Sequence, residues 1–211
     1  MVNVVNDRIL HVKSVKEPIS SDVYIFKAKN STWIYDVGTS DEALREINAV
    51  EGPKNIVISH FHADHIGNLK NIVCEDGSLP ENVSLYVSKQ TMKYTHVGEV
   101  IDQEKIADDG LKFKIFPIPS THAKGCLGLE VGGEFAFIGD ALYPSYKDNQ
   151  KCYNIQLLKE QIETLEGLRA DKIFLSHDKK PITRKEIVIA YLKNVYSKRS
   201  SDSNFIFQKL F

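Results

Sequence analysis

The chain has 211 residues, 42% of them hydrophobic and 26% charged, with 27 basic and 28 acidic side chains for a formal net charge of −1. That balance excludes a disordered chain, and it leaves no electrostatic footprint for nucleic acid or an anionic membrane surface. No apolar run approaches the roughly 20 residues of a membrane span, and the opening MVNVVNDRIL lacks the basic-then-apolar layout of a signal peptide.

Strand-favouring runs cover residues 9–15, 23–28 and 32–37, the last stopped by Gly38. Ser40 or Asp41 caps a short helix whose apolar face is Leu44, Ile47 and Val50, and Gly52-Pro53 ends it. Residues 55–59 (NIVIS) read as a continuously apolar, buried strand. A strand over 83–87, a helical stretch over about 88–96 and a strand over 112–118 follow. Residues 127–131 and 134–138 flank Gly132-Gly133, a hairpin signal. Ile155, Leu158, Ile162, Leu165 and Leu168 recur at helical spacing, residues 172–175 form another buried strand, and Ile187, Tyr191 and Val195, beside Val188 and Leu192, mark a last helix. The tail to Phe211 reads as neither. With no repeat or long linker, this order suggests two sheets sandwiched between helices in a single domain over residues 1–211. Three widely spaced cysteines, Cys74, Cys126 and Cys152, fit a reducing, cytoplasmic location.

Three of the seven histidines fall within His60-Phe61-His62-Ala63-Asp64-His65, directly after the strand at 55–59. In extended chain, residues two apart face the same side, so His60 and His62 can aim at one point. A helix start near Asp64 then throws Asp64 and His65 toward a second, adjacent point. Imidazole nitrogen with carboxylate oxygen suits zinc, iron or manganese. The missing ligands must come from elsewhere, and three candidates sit at strand ends: His122, Asp140 in FIGD and His177 in LSHD.

HFHADH followed by separate His, Asp and His resembles the metallo-β-lactamase-fold hydrolase superfamily, over a stretch from Asp36 in YDVG to His177. The resemblance implies an α/β fold, the αββα four-layer sandwich, with a dinuclear site at one edge. It further implies that His60, His62 and His122 hold one metal and Asp64, His65 and His177 the other, with Asp140 bridging. Asp36 matches the family's first acidic motif, which buttresses such a site. Two divalent ions are therefore expected as cofactors, zinc foremost, with iron and manganese as alternatives. Two departures leave the ligands intact. Cys126 stands where many relatives have His or Ser, and SHD replaces the glycines that commonly flank His177.

Two adjacent ions lower the pKa of a shared water, and the hydroxide attacks a carbonyl or phosphorus. Asp64 is the candidate to orient it and carry its proton. Tyr143 follows Asp140 by three residues in DALY, a spacing that resembles the acyl-homoserine-lactone lactonases, and its phenol is the candidate donor to the carbonyl oxygen. The expected activity is hydrolysis of a small ester, thioester or lactone, in a glyoxalase II- or lactonase-like branch. A mononuclear-iron persulfide dioxygenase-like oxidoreductase and a phosphodiesterase are the alternatives. Aspartate at 140 argues against a true β-lactamase, and histidine at both 60 and 62 against the flavodiiron pattern HxExDH. The short stretch after His177 is expected to lack the helical glutathione-binding domain of a glyoxalase II. The expected partner is a small-molecule substrate, with no nucleic acid and no membrane. His11 and His96 read as structural or exposed, the cysteines as packing residues and Trp33 as core.

Overall fold

The computed structural model describes residues 2–6 and 8–209. The chain opens with β1 (Val2–Asn6), β2 (Ile9–Val12), the short pair β3 (Val15–Lys16) and β4 (Ile19–Ser20), β5 (Val23–Lys27) and β6 (Thr32–Tyr35). Helix α1 (Asp41–Asn48) precedes β7 (Lys54–Val57), α2 (Ala63–Ile66), a 3-10 turn (Gly67–Asn71), β8 (Val83–Val87), α3 (Met92–Thr95) and β9 (Glu99–Val100). The second half runs through β10 (Lys105–Asp108), β11 (Lys112–Ile118), β12 (Cys126–Val131), β13 (Phe135–Phe137), β14 (Ser145–Lys147) and β15 (Gln150–Asn154). It ends with α4 (Ile155–Glu166), β16 (Lys172–Phe174), β17 (Ile182–Arg184), α5 (Lys185–Ser197) and β18 (Phe205–Lys209).

One seven-stranded sheet has the order β1-β2-β5-β6-β7-β8-β9 and a six-stranded sheet the order β10-β11-β12-β13-β16-β17. Three apolar layers glue four structural ones. Ile34, Ile56, Ile58 and Leu85 pack against Ala43 and Ile47 of α1. Tyr24, Phe26, Trp33 and Tyr35 of the first sheet meet Phe113, Leu129, Phe137 and Phe174 of the second. Ile173 and Ala136 bury Leu158, Ile162 and Leu165 of α4 with Val188, Leu192 and Val195 of α5. This is the αββα sandwich that the sequence implied. Trp33 is core, stacked 4.3 Å from Phe113 and 5.9 Å from Tyr86 between ring centroids.

The local chemistry explains most boundaries. The Ser40 hydroxyl accepts the Ala43 N–H at 3.2 Å and starts α1, while the Asn154 side chain accepts the Leu157 N–H at 3.0 Å and starts α4. Gly132 and Gly133, at φ of 63° and 70°, turn the chain between β12 and β13 as the hairpin signal required. The strand expected over residues 9–15 stops at Val12, because the Ser14 N–H leaves the ladder for the Asp22 carboxylate at 3.0 Å. The expected helix over 88–96 shrinks to α3, behind a turn in which the Ser88 hydroxyl accepts the Thr91 N–H at 3.1 Å. On α5 the buried stripe is Val188, Leu192 and Val195, whereas Ile187 and Tyr191 are exposed. The tail contributes β18 by pairing with β15; Phe211 itself lies outside the described residues. No helix among the described residues is long and apolar enough to cross a membrane.

Candidate metal centre

The strand directions bring the ligands together. β6 and β7 are parallel, as are β13 and β16, and β11 runs the same way as β13 because β12 lies antiparallel between them. The loops leaving β6, β7, β11, β13 and β16 therefore open on one edge, and they carry Asp36, the HFHADH run, His122, Asp140 and His177. Cross-sheet hydrogen bonds hold that edge closed: Leu127 N–H donates to the Ser59 carbonyl and the Tyr35 hydroxyl to the Leu127 carbonyl, both at 2.8 Å.

His60, His62 and His122 come together as one set of side chains that could hold a metal ion, and Asp64, His65, Asp140 and His177 as another. In the first, His62 Nδ1 lies 2.9 Å from His60 Nε2 and 3.1 Å from His122 Nε2. In the second, Asp64 Oδ2 lies 2.8 Å from His177 Nε2 and 3.5 Å from His65 Nε2. Asp140 Oδ2 faces both, at 3.4 Å from His122 Nε2 and 3.4 Å from His65 Nε2.

Charge divides the two sets. Burial, reinforced by neighbouring histidines, pushes His60 strongly down, and burial also lowers His62 and His122 against the pull of nearby carboxylates. Burial opposes charge on His65 as well, but the Asp36 and Asp140 carboxylates outweigh it and push its pKa up to about 10. His177 is raised, since the Asp64 hydrogen bond and the Asp140 charge overcome burial. A proton is thus disfavoured on the imidazoles of the first set and favoured on His65 and His177 in the second.

Those residues fit divalent metal. His65 Nε2 and Asp140 Oδ1 are buried and have no hydrogen-bonding partner, a cost of about 1–3 kcal/mol each that a cation would remove. Supporting groups set the ligand tautomers. Asp36, itself at φ 60°, accepts from Ser59 N–H at 2.7 Å through Oδ1 and from His65 Nδ1 at 2.8 Å through Oδ2. That leaves His65 Nε2 free to ligate. The Ser59 hydroxyl lies 3.0 Å from His60 Nδ1 and 3.1 Å from His65 Nδ1. Gly139, at φ 52°, admits this approach: a Cβ there would stand 2.8 Å from the Ser59 Cβ.

All seven ligands proposed from the sequence converge. Tyr143 also reaches the site, its ring 6.2 Å from that of His122, but its hydroxyl donates to the Ser176 carbonyl at 2.6 Å. Asp178 accepts the Lys180 N–H at 2.8 Å. Cys126 is buried, which pushes its thiol up to about 12, and His96 is exposed at the end of α3. Of the groups behind the ligands, the sequence pointed to Asp36, which supports His65, but not to Ser59 or Gln161. Ser59 could have been suspected from its place before His60. Gln161 on α4 could not: its amide donates to the carbonyls of Pro119 and Ala141 at 2.7 and 2.6 Å, tying together the loops of His122 and Asp140.

A mixed-sheet sandwich holding two histidine and aspartate sets at one edge defines a class of metal-dependent enzyme. A family model of the metallo-beta-lactamase superfamily matches residues 17–177, and the chain belongs to that superfamily, as a metallohydrolase. It is 25% identical over 184 residues to a hydroxyacylglutathione hydrolase of Buchnera aphidicola subsp. Baizongia pistaciae (strain Bp), covering 86% of this chain and 69% of that one. Among solved structures, the sec-alkylsulfatase Pisa1 from Pseudomonas sp. superposes with a TM-score of 0.72 at 12% identity, over 93% of this chain and only 41% of the sulfatase. A metallo-beta-lactamase from Pontibacter korlensis gives 0.62 at 17% identity, over 92% and 99% of the two chains.

Proposed function

We propose that the chain hydrolyses a small ester, thioester or lactone with two divalent ions, zinc foremost, held by the two ligand sets. The observation that carries this reading is Asp140 Oδ2, equidistant at 3.4 Å from a histidine of each set. One carboxylate oxygen shared in this way supports a paired site over a mononuclear iron site. Two such ions, when bound, lower the pKa of a water they share and polarise the oxygen of the scissile group. Asp64 stands at the second set with its carboxyl held below the usual range, where hydrogen bonding to His177 and the nearby His65 outweigh burial. It is therefore ionised at neutral pH, and its place beside His177, at 2.8 Å, supports a role in orienting the attacking water and relaying its proton. Similarity to a hydroxyacylglutathione hydrolase supports an acyl substrate, and three unpaired cysteines support a cytoplasmic location.

Tyr143 is the proposed donor to the carbonyl oxygen. To serve, its phenol must exchange the Ser176 carbonyl for the substrate. The test is metal analysis with parallel assays on esters, thioesters, lactones and phosphodiesters. Two zinc ions per chain and turnover of the carbonyl substrates are expected. Tyr143→Phe should lower kcat on those substrates, with both metals retained, and affect a phosphodiester less; one such donor is worth about 2.7–4 kcal/mol in a transition state. One iron per chain, or turnover of phosphodiesters alone, would overturn the reading.

A further inference from the structure

His177 is the ligand whose backbone is hardest to hold. It sits at φ 60°, in the left-handed region that a residue with a Cβ seldom adopts, on a loop without glycine. Yet the peptide group joining Ser176 to His177 is held through its N–H, which donates to Asp22 Oδ2 at 2.8 Å, whereas the Tyr143 hydroxyl on its carbonyl, at 2.6 Å, is the contact that opens for substrate. The Asp22 N–H in turn donates to the Ser176 hydroxyl oxygen at 2.9 Å, so residue 22 grips residues 176 and 177 through backbone and side chain together.

Asp22 is itself immobilised. It is buried, and its other carboxylate oxygen takes the Ser14 N–H at 3.0 Å and His11 Nε2 at 2.5 Å. His11 is buried on β2, opposite Tyr24 of β5, and stacks on that ring at 4.6 Å between centroids. A buried carboxylate is costly unless it is paired and hydrogen-bonded, and Asp22, just before β5, meets that condition only with His11, the Ser14 N–H and the His177 N–H all in place.

We infer that Asp22, steadied by His11, is a positioning residue that latches the Ser176–His177 peptide and thereby holds His177 in the second ligand set. His177 Nε2 lies 2.8 Å from Asp64 Oδ2 only while that peptide keeps its orientation. The inference rests on the metal reading of the site and not on the identity of the substrate.

The test uses cobalt(II) titrated into the metal-free full chain, with affinities and visible spectra read for each ion. Wild-type protein should bind two ions; failure to do so overturns the metal reading, and the latch with it. Asp22→Ala should weaken the second ion by about 10- to 100-fold while leaving the first unchanged. His11→Phe, which fills the space but cannot pair with Asp22, should weaken the second ion by about 2- to 10-fold, and His11→Gln should restore it. Hydrogen exchange at the His177 amide of the metal-free protein should accelerate in Asp22→Ala and His11→Phe. Equal weakening of both ions, an unchanged second ion, or identical behaviour of the two His11 variants would overturn the latch. If Asp22→Ala fails to fold, the His11 pair decides alone.

Discussion

Replacing Asp36 by asparagine probes how tightly ligand chemistry depends on one supporting carboxylate. Asp36 is fully buried and serves two donors, Ser59 N–H at 2.7 Å and His65 Nδ1 at 2.8 Å. An amide of the same shape offers one acceptor and one donor. Whichever way it turns, an N–H of the side chain meets an N–H of the protein. If the amide oxygen keeps Ser59, His65 relieves the clash by moving its proton to Nε2, the atom that must ligate. An unpaired buried donor costs about 1–3 kcal/mol, and each ~1.4 kcal/mol is tenfold in affinity. The Ser59 hydroxyl, 3.1 Å from the same His65 nitrogen, offers partial relief, although it already serves His60 at 3.0 Å. The expected loss is therefore nearer tenfold than hundredfold, within the usual range for such supporting groups, and confined to the ion held by His65. Competition against a chromophoric chelator, with each ion resolved, measures it. Wild-type affinity for both ions in Asp36→Asn would refute the argument that Asp36 sets the His65 tautomer.

The two ions should differ in the protons that they displace. The first set is held neutral, so its ion should release almost none above pH ~6.5. His65 is raised to about 10 and His177 is raised, so the second ion should expel at least one proton below pH 10 and bind more tightly as pH rises toward that value. Calorimetric titration in two buffers of different ionisation heat counts these protons, and equal release from both ions would contradict the assignment. Asp64→Asn should lower kcat by roughly 10²–10⁴ beyond its effect on metal content. Activity lost only in step with bound metal would leave Asp64 a plain ligand.

The convergence of the candidate ligands was legible because its largest part is local. HFHADH places four donors within six residues, and their directions follow from one strand end and one helix start. His122, Asp140 and His177 were legible as polar residues at strand ends. What binds them was not. Asp22 and His177 are far apart in sequence and meet only through the packing of two sheets, so no local pattern announces the pairing. The destination of the Tyr143 proton was hidden for the same reason, because the Ser176 carbonyl belongs to another loop. On α5 the periodicity fixed the helix but not which of two adjacent stripes faces inward; that was decided by how α5 lies against α4 and the sheet.

Each ligand set draws on both sheets: the loop after β7 supplies His60, His62, Asp64 and His65, and the second sheet supplies His122, Asp140 and His177. Bound ions would therefore act as rivets across the mouth of the sandwich as well as reagents within it. By mass action, an ion present at a thousand times its dissociation constant adds ~4.1 kcal/mol to stability when the unfolded chain does not bind it, a large share of a typical domain's 5–15 kcal/mol. Starvation for metal would then do more than silence the enzyme. It would loosen the edge over Tyr35, Val57 and Phe137, expose the seam between the sheets to proteases, and make the abundance of the protein a readout of metal supply.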